Sequence, residues 1–553
     1  MRLTVQQLLG LCGLGYALAL VLGCAVVSRP TGGDEDRLAP KLDTARSTAP
    51  LAVGVRPELL VLEFDEYVTL SNASRTVVLT PTPEAGRPQY RQRGRRVEVD
   101  LSDVRYRDST TYQLLFGDAV RDLNANNPAQ RLRYVWSTGP ELDSLQIAGQ
   151  VVDHFSGEAQ IGVLVGLYRN LSDSAVVQLG PDYFTTTDST GRFQLDYLSP
   201  GRYRLLAFAD GDENRLLNVG TEAVAFLNEE LVLGPQETRI DSSYVLSLAL
   251  ERPDLFVLAA EVRYPGLLTL ALNQAADTAL SVRLLARNPD PLSGSLVYAQ
   301  QDTLLVAYTE RSDTLARRVL VGSAAAPDTF NLRRNRPKAD SLPRLRFVGR
   351  ARARTGLPGL ALTLNLPLRA VNPERIEVFD VDSSLLRPAG DFALSTNDPL
   401  QLSWIPSSDS ARSYRMRLLP GALTDYWGRE LSDTLEVNVR TEASESFGEV
   451  ALSLEGLDST QAYVLELYEG GGAGADEPPA RRLQLQPGEA QLTLSRLPAG
   501  DYLVRLITDL DDSGTFTPPS VRARRQPEPV SSSVLNGVRA NWLVEQTLTF
   551  SGL

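Results

Sequence analysis

The stretch RRVEVDLSDVRY (95–106) decides the fold class of this 553-residue chain. Val97, Val99 and Leu101 fall on one side of an extended backbone, and Glu98 and Asp100 fall on the other. That period of two is what a half-buried antiparallel strand requires. Similar segments recur from Leu51 onward, separated by Gly, Pro, Asn and Asp at the spacing of about 8–12 residues typical of sandwiches. No long helical stripe interrupts them. The expected fold is all-β, a series of tandem antiparallel β-sandwich domains.

Composition bounds the function. The chain is too long for one core and should divide into several domains. Its 43% hydrophobic content is that of a folded protein. The 55 basic residues are outnumbered by 68 acidic ones, for a net charge of -13. No block of Lys and Arg stands out as able to neutralise a run of phosphates, so no nucleic acid is expected as partner. The single histidine, His154, excludes sites built on several imidazoles. No G-x-S-x-G elbow accompanies it and no phosphate-binding glycine loop occurs, so His154 reads as a surface-turn residue and the chain as no enzyme. Trp136, Trp404, Trp427 and Trp542 sit in separate contexts and read as core residues, with a sugar platform as the alternative if they are exposed together.

The first residues, MRLTVQQLLGLCGLGYALALVLGCAVVS, join a weakly basic start to an apolar run and a small Gly23 before Cys24. This reads as a secretory signal, and it resembles the bacterial lipoprotein signal. The resemblance implies that residues 1–23 are removed and that Cys24 is acylated. Both cysteines, Cys12 and Cys24, lie in this segment, so the mature chain has no pair to oxidise. Residues 24–50 then read as the lipidated cysteine and a flexible tether. Within it, Asp34, Glu35 and Asp36 resemble the acidic sorting cue of Bacteroidetes-type surface lipoproteins, although the plain tether is the simpler reading. The expected location is the outer membrane of an exporting bacterium, with periplasmic face and cell surface both open. The membrane is the expected partner, through the lipid anchor, and envelope proteins or glycans are further candidates.

Two repeats divide the remainder. Thr111-Tyr112 leads through Asp122 to Trp136 and Thr138, and Ser413-Tyr414 leads through Asp425 to Val439 and Thr441. With LNLPLRAVNPERIEVFD and LLPGALTDYWGRELSDT in the second copy, residues 51–140 and 345–442 resemble bacterial Ig-like domains of surface-layer proteins. In the other repeat, Leu198, Gly201, Tyr203, Asp210 and Asp212 recur as Leu497, Gly500, Tyr502, Asp509 and Asp511 at one constant offset. The run Gly149 to Asp153, the Thr187-Asp188 hairpin with Gly191 and Phe193, and Leu198 to Tyr203 resemble the prealbumin-like, carboxypeptidase-regulatory-like sandwich. This resemblance covers residues 145–250 and, with EGGGAGADEPP replacing the hairpin, 447–553. Residues 252–332 read as a further sandwich of no assigned family, and RRNRPKADSLP as a linker.

The recurring aspartates are the candidate chemistry. Asp210, Asp212 and Asn214, and likewise Asp509, Asp511 and Ser513, place oxygens on alternate positions as a calcium loop does. The twelfth places hold Thr221 and Ser520 rather than a carboxylate, although Glu222 is one residue further on. Gly514 fills the sixth place where the first copy has Arg215. Asp and Asn also close ordinary turns by bonding their own backbone. A structural turn is the favoured reading, with Ca2+ binding as the alternative and catalysis the weakest. The expected function is a noncatalytic cell-envelope lipoprotein serving as scaffold or adhesion module. The alternative is a glycan- or protein-binding accessory subunit of an envelope complex with calcium-stabilised loops.

Overall fold

The computed structural model describes residues 37–550 apart from 131, 235–242, 254, 275–280, 286–295, 301, 309–317, 323–327, 332–340, 354–358, 381, 383, 387–389, 396–397, 408–411 and 471–478. The signal segment, Cys24, the acidic trio and most of EGGGAGADEPP and RRNRPKADSLP lie outside the described residues. The chain is a tandem of β-sandwiches, with strands throughout and helices of a single turn such as Ala73–Thr76 and Ala175–Gln178. Its contacts divide into two units, residues 1–145 with 197–199, and the remainder.

The first unit holds β1 (Leu59–Glu63), β2 (Val68–Leu70), β3 (Val78–Thr80), β4 (Gln89–Arg93), β5 (Arg96–Asp100), β6 (Thr111–Leu115), β7 (Val120–Asp122) and β8 (Arg133–Ser137). They pair as β1-β5-β4, β3-β6-β8 and β2-β7. The stretch 95–106 is β5 with its flanks, and its alternation is realised: Val97, Val99 and Leu101 are buried while Glu98 and Asp100 are not. Burying each such side chain stabilises the fold by about 1.5–3 kcal/mol. Leu60, Leu62, Val97 and Val99 pack in one core with Tyr112, Leu114 and Trp136. Tyr112 stacks on Trp136 at 5.7 Å, and its hydroxyl accepts the Arg107 N–H.

In the second unit, Leu360–Thr363, Gln401–Ile405 and Asp391–Leu394 repeat the β1-β5-β4 order, with Arg352–Ala353 added at the edge. Ile376–Phe379, Ser413–Leu418 and Leu435–Arg440 repeat β3-β6-β8, and Leu368–Val371 with Leu423–Asp425 repeats β2-β7. Trp404 is fully buried against Tyr414. Strands from Val257–Tyr264 to Asp328–Asn331 form two further sheets. The Trp427 indole N–H donates to the Tyr308 carbonyl at 2.9 Å across Gly266, where a Cβ would lie 2.7 Å from the indole nitrogen.

Residues 145–250 form β9 (Leu145–Asp153), β10 (Leu164–Tyr168), β11 (Tyr183–Thr186), β12 (Arg192–Leu198), β13 (Gly201–Phe208), β14 (Ala223–Phe226), β15 (Leu231–Leu233) and β16 (Ser243–Leu250). The first and last of these strands, β9 and β16, pair in parallel. The later copy does the same: Gly448–Glu455 runs parallel to Leu543–Thr549. Parallel neighbours need a long crossover, and here the rest of each sandwich supplies it. The antiparallel expectation therefore holds for the other ladders and not for these two.

The Asp shared by the first sandwich and its later repeat, Asp122 and Asp425, is a structural device. The carboxylate of Asp122 accepts the N–H groups of Asn124, Ala125, Asn126 and Asn127. Asp425 accepts those of Trp427 and Arg429 and pairs with the Arg429 guanidinium at 2.8 Å. Burial pushes the Asp122 carboxyl up, but the four amides outweigh it and hold it below its ordinary 3.8. Its contribution to stability is complete above that value and is lost as the pH falls through the lower folded one. We expect Asp122→Ala to lower the urea midpoint at pH 7 and to flatten the decline in acid. A variant with the parent's midpoint and acid limb would remove Asp122 from this role.

Candidate functional site: two matched acidic loops

Each loop starts where a long strand leaves its sheet. In the first copy β13 carries Tyr203, which is fully buried, and in the second Gly500–Asp509 carries Tyr502, whose hydroxyl donates to the Pro498 carbonyl at 2.7 Å. Burial pushes the Tyr502 phenol up to about 12. These anchors fix the strand, so the residues that follow emerge at matched places.

The two loops then share one hydrogen-bond scheme. Asp210 accepts the N–H of Asn214 on Oδ1 and of Arg215 on Oδ2, at 3.1 and 3.0 Å. Asp509 accepts Ser513 and Gly514 in the same way, both at 2.9 Å. Asp212 and Asp511 accept the Asn214 and Ser513 amides, and also a side-chain donor, from Asn218 and Thr517 respectively. A buried glutamate closes each loop. Glu222 accepts Gly211 and Asn218 N–H, and Glu528 accepts Leu510 and Thr517 N–H.

The backbone repeats as well. Glu213 and Asp512 have φ of 60° and 55°, and Arg215 and Gly514 have 62° and 70°. Arg215 thus adopts the left-handed conformation that glycine supplies in the other copy, at a cost of about 1–2 kcal/mol. Its guanidinium lies 4.4 Å over the Phe184 ring, which offsets part of that.

The carboxylates gather as Asp210, Asp212 and Glu222, and as Asp509, Asp511 and Glu528, with oxygens of each triad within 4.8 Å of one another. Burial raises the Asp210 carboxyl, and Glu222 beside it adds to this. Burial likewise raises Glu528, with Asp511 and Asp509 adding to it. Asp511 is lower than usual, because hydrogen bonds from Ser513 and Thr517 outweigh its burial. Asn214 and Ser513 turn their side chains to the loop: the Asn214 amide donates to Asp212, and the Ser513 hydroxyl donates to the Thr515 carbonyl. The sequence placed Glu222 one position beyond the expected ligand. Glu528 was hidden, because it follows Thr517 by 11 positions where Glu222 follows Asn218 by 4.

That longer connection docks on the first copy. Val521 N–H donates to Glu251, the Arg524 guanidinium pairs with Asp173 at 2.9 Å, and the Gln526 amide donates to the Phe226 carbonyl. Asp173 also holds the buried Arg204 at 3.0 Å. His154 sits here in a turn, as expected, but half-buried, because the second copy covers it. Its Nε2 donates to the Glu528 carbonyl and its Nδ1 accepts from Ser247, each at 2.8 Å; a carbonyl only accepts, which fixes the tautomer. Burial lowers its pKa. Phe155 packs edge-on to Phe516 at 5.0 Å, with the Arg505 guanidinium 4.4 Å above it. Of the four tryptophans, Trp136 and Trp404 are core, Trp427 is half-buried, and Trp542 alone is exposed.

Residues 36–138 match the family model of a bacterial Ig-like domain. No curated protein matches the chain. Similar solved structures include the major pilin subunit of Bacillus cereus, 8% identical, covering 74% of this chain and 100% of that one at a TM-score of 0.14. Domains 1–6 of a surface-layer protein are 10% identical, covering 91% and 67% at 0.15. The insect immune protein hemolin is 8% identical, covering 66% and 87% at 0.20.

The matched loops make a paired expectation. Removing Asp210 or Asp509 strips two amides of a charged acceptor, so Asp210→Ala and Asp509→Ala should each cost about 2 kcal/mol. Hydrogen exchange should accelerate at Asn214 and Arg215 in one variant and at Ser513 and Gly514 in the other. Protection unchanged in either loop would show that the carboxylates do not hold it.

Proposed function

We propose that this chain is an exported, noncatalytic module of the bacterial cell envelope, held by an acylated Cys24 and acting as a structural or adhesive scaffold. The observation that carries this reading is the order of parts: residues 1–23, which read as a signal, and Cys24 precede residues 36–138, which match a bacterial Ig-like family model. Several acyl chains on one cysteine give stable anchoring to a leaflet without a spanning helix. Strands place their connections at sandwich ends, where recognition surfaces are easily varied. The acidic clusters favour bracing over proton transfer, since their oxygens accept amides of their own loops.

Labelled palmitate should enter the parent and not Cys24→Ala. Equal labelling of both refutes the anchor, and protease treatment of whole cells separates the surface from the periplasmic face.

A second reading concerns the triads. Three carboxylates converging twice, at matched places, form an oxygen-rich set of the kind that takes Ca2+, with Asp210, Asp212 and Glu222 in one and Asp509, Asp511 and Glu528 in the other. Burial is the main cause that raises Asp210 and Glu528, and a cation would offset it together with the smaller repulsion from the neighbouring carboxylates. Calcium at about a hundred times its dissociation constant should stabilise each occupied site by about 2.7 kcal/mol. The melting temperature should rise with Ca2+ and fall back with chelator, and Glu222→Gln with Glu528→Gln should abolish the response. An unmoved midpoint in the parent leaves the loops as turns alone.

A further inference from the structure

One end of the first sandwich gathers basic and apolar side chains at its surface. The described chain begins at Arg37, and the Leu38 carbonyl accepts the Asn127 side chain. Lys41 N–H donates to Asp65, and Leu42 bridges Phe64. Phe64 N–H also bonds the Arg95 carbonyl, and Val68 N–H bonds that of Gly94. The tether therefore leaves beside the β4–β5 turn. The loop after β7 joins the same end, since Leu123 N–H donates to the Tyr67 carbonyl.

That turn belongs to RPQYRQRGRR (87–96), which carries Arg87, Arg91, Arg93, Arg95 and Arg96 and no acid, in a chain of net charge -13. The expectation of no basic block overlooked this run, and the hairpin gathers it at one end. All five arginines are exposed. Arg96 pairs with Glu63 and Arg95 lies 5.2 Å over the Tyr67 ring, while Arg87 and Arg93 meet no carboxylate at ion-pair distance among the described residues. The acidic residues of this end include Glu63, which pairs with Arg96, Asp65, which accepts the Lys41 backbone N–H, and Glu66. Arginine on an edge strand guards against sheet-to-sheet pairing. That accounts for Arg91 and Arg93 in β4 but not for Arg87 and Arg95 outside it.

Apolar groups stand among these charges. Leu38 is 70% exposed, Leu123 57% and Tyr67 55%. Cations beside an exposed aromatic and two leucines are the pattern of a surface that meets a bilayer at headgroup depth.

We propose that this end, formed by Leu38, Lys41, Tyr67, Arg93, Arg95 and Leu123, docks on a membrane surface through its anionic phospholipid headgroups. The inference rests on the reading of Cys24 as the anchor. Residues 25–36 separate that cysteine from Arg37, a span of at most about 45 Å when fully extended. An acyl anchor at Cys24 would hold this end within reach of the leaflet, and a basic patch there would add attraction to its anionic surface.

The test uses the full mature chain as Cys24→Ala, so that no acyl group contributes, floated with phosphatidylglycerol–phosphatidylcholine vesicles and with phosphatidylcholine alone. Binding should appear with the anionic vesicles only, weaken with salt, and drop at least about tenfold in Arg93→Glu with Arg95→Glu. Tyr67→Ala with Leu123→Ala should weaken it without changing the salt slope. Unchanged binding in the charge-reversed chain, equal binding to neutral vesicles, or no binding overturns the proposal. Binding gained only on neutralising Asp34, Glu35 and Asp36 also overturns it, and assigns the patch to the chain's own tether. Palmitate labelling reads the anchor separately, so either idea can fail alone.

Discussion

A buried carboxylate folded back onto the amides of its own turn is the interaction on which these sandwiches depend. A turn leaves several N–H groups pointing inward with no strand to receive them, and each must find an acceptor. Asp122 takes four of them. Asp425, Asp210 and Asp509 do the same work at the ends of other sheets, and Glu222 and Glu528 fix the far side of the longer loops. Part of the acidity of the chain thus belongs to its interior architecture.

Duplication shows which parts of this device are fixed and which are free. The first aspartate, the two amides that donate to it and the left-handed residue recur position for position, even where arginine must adopt a conformation better suited to glycine. The closing glutamate recurs in space but not in sequence spacing. The extra residues in the second copy carry Val521, Arg524 and Gln526, which bind the first copy. A conserved loop geometry and a new interface therefore come from one lengthened connection.

The strands were legible because burial imposes a period of two, and RRVEVDLSDVRY displays it without interruption. Both repeats were legible through side chains with fixed tasks, Tyr203 and Tyr502 among them. Glu528 was not, since closing a loop constrains where a carboxylate ends up and not how many residues precede it. The covering of the His154 turn was not legible because its partner, the Glu528 carbonyl, is 374 residues away and carries no side-chain signature. The parallel pairing of first and last strands escaped for the same reason: a strand's own pattern does not name its neighbour.

Contacts of such sequence separation also order events in time. A chain made from its N-terminus presents Asp173, Glu251 and His154 long before Arg524, Val521 and Glu528 exist to meet them. Local ladders such as β4 with β5 close early, whereas this interface waits for both sandwiches to form and for the intervening residues to be accommodated. Until then the face that His154 occupies stays wet, and assembly of the second unit ends with its drying.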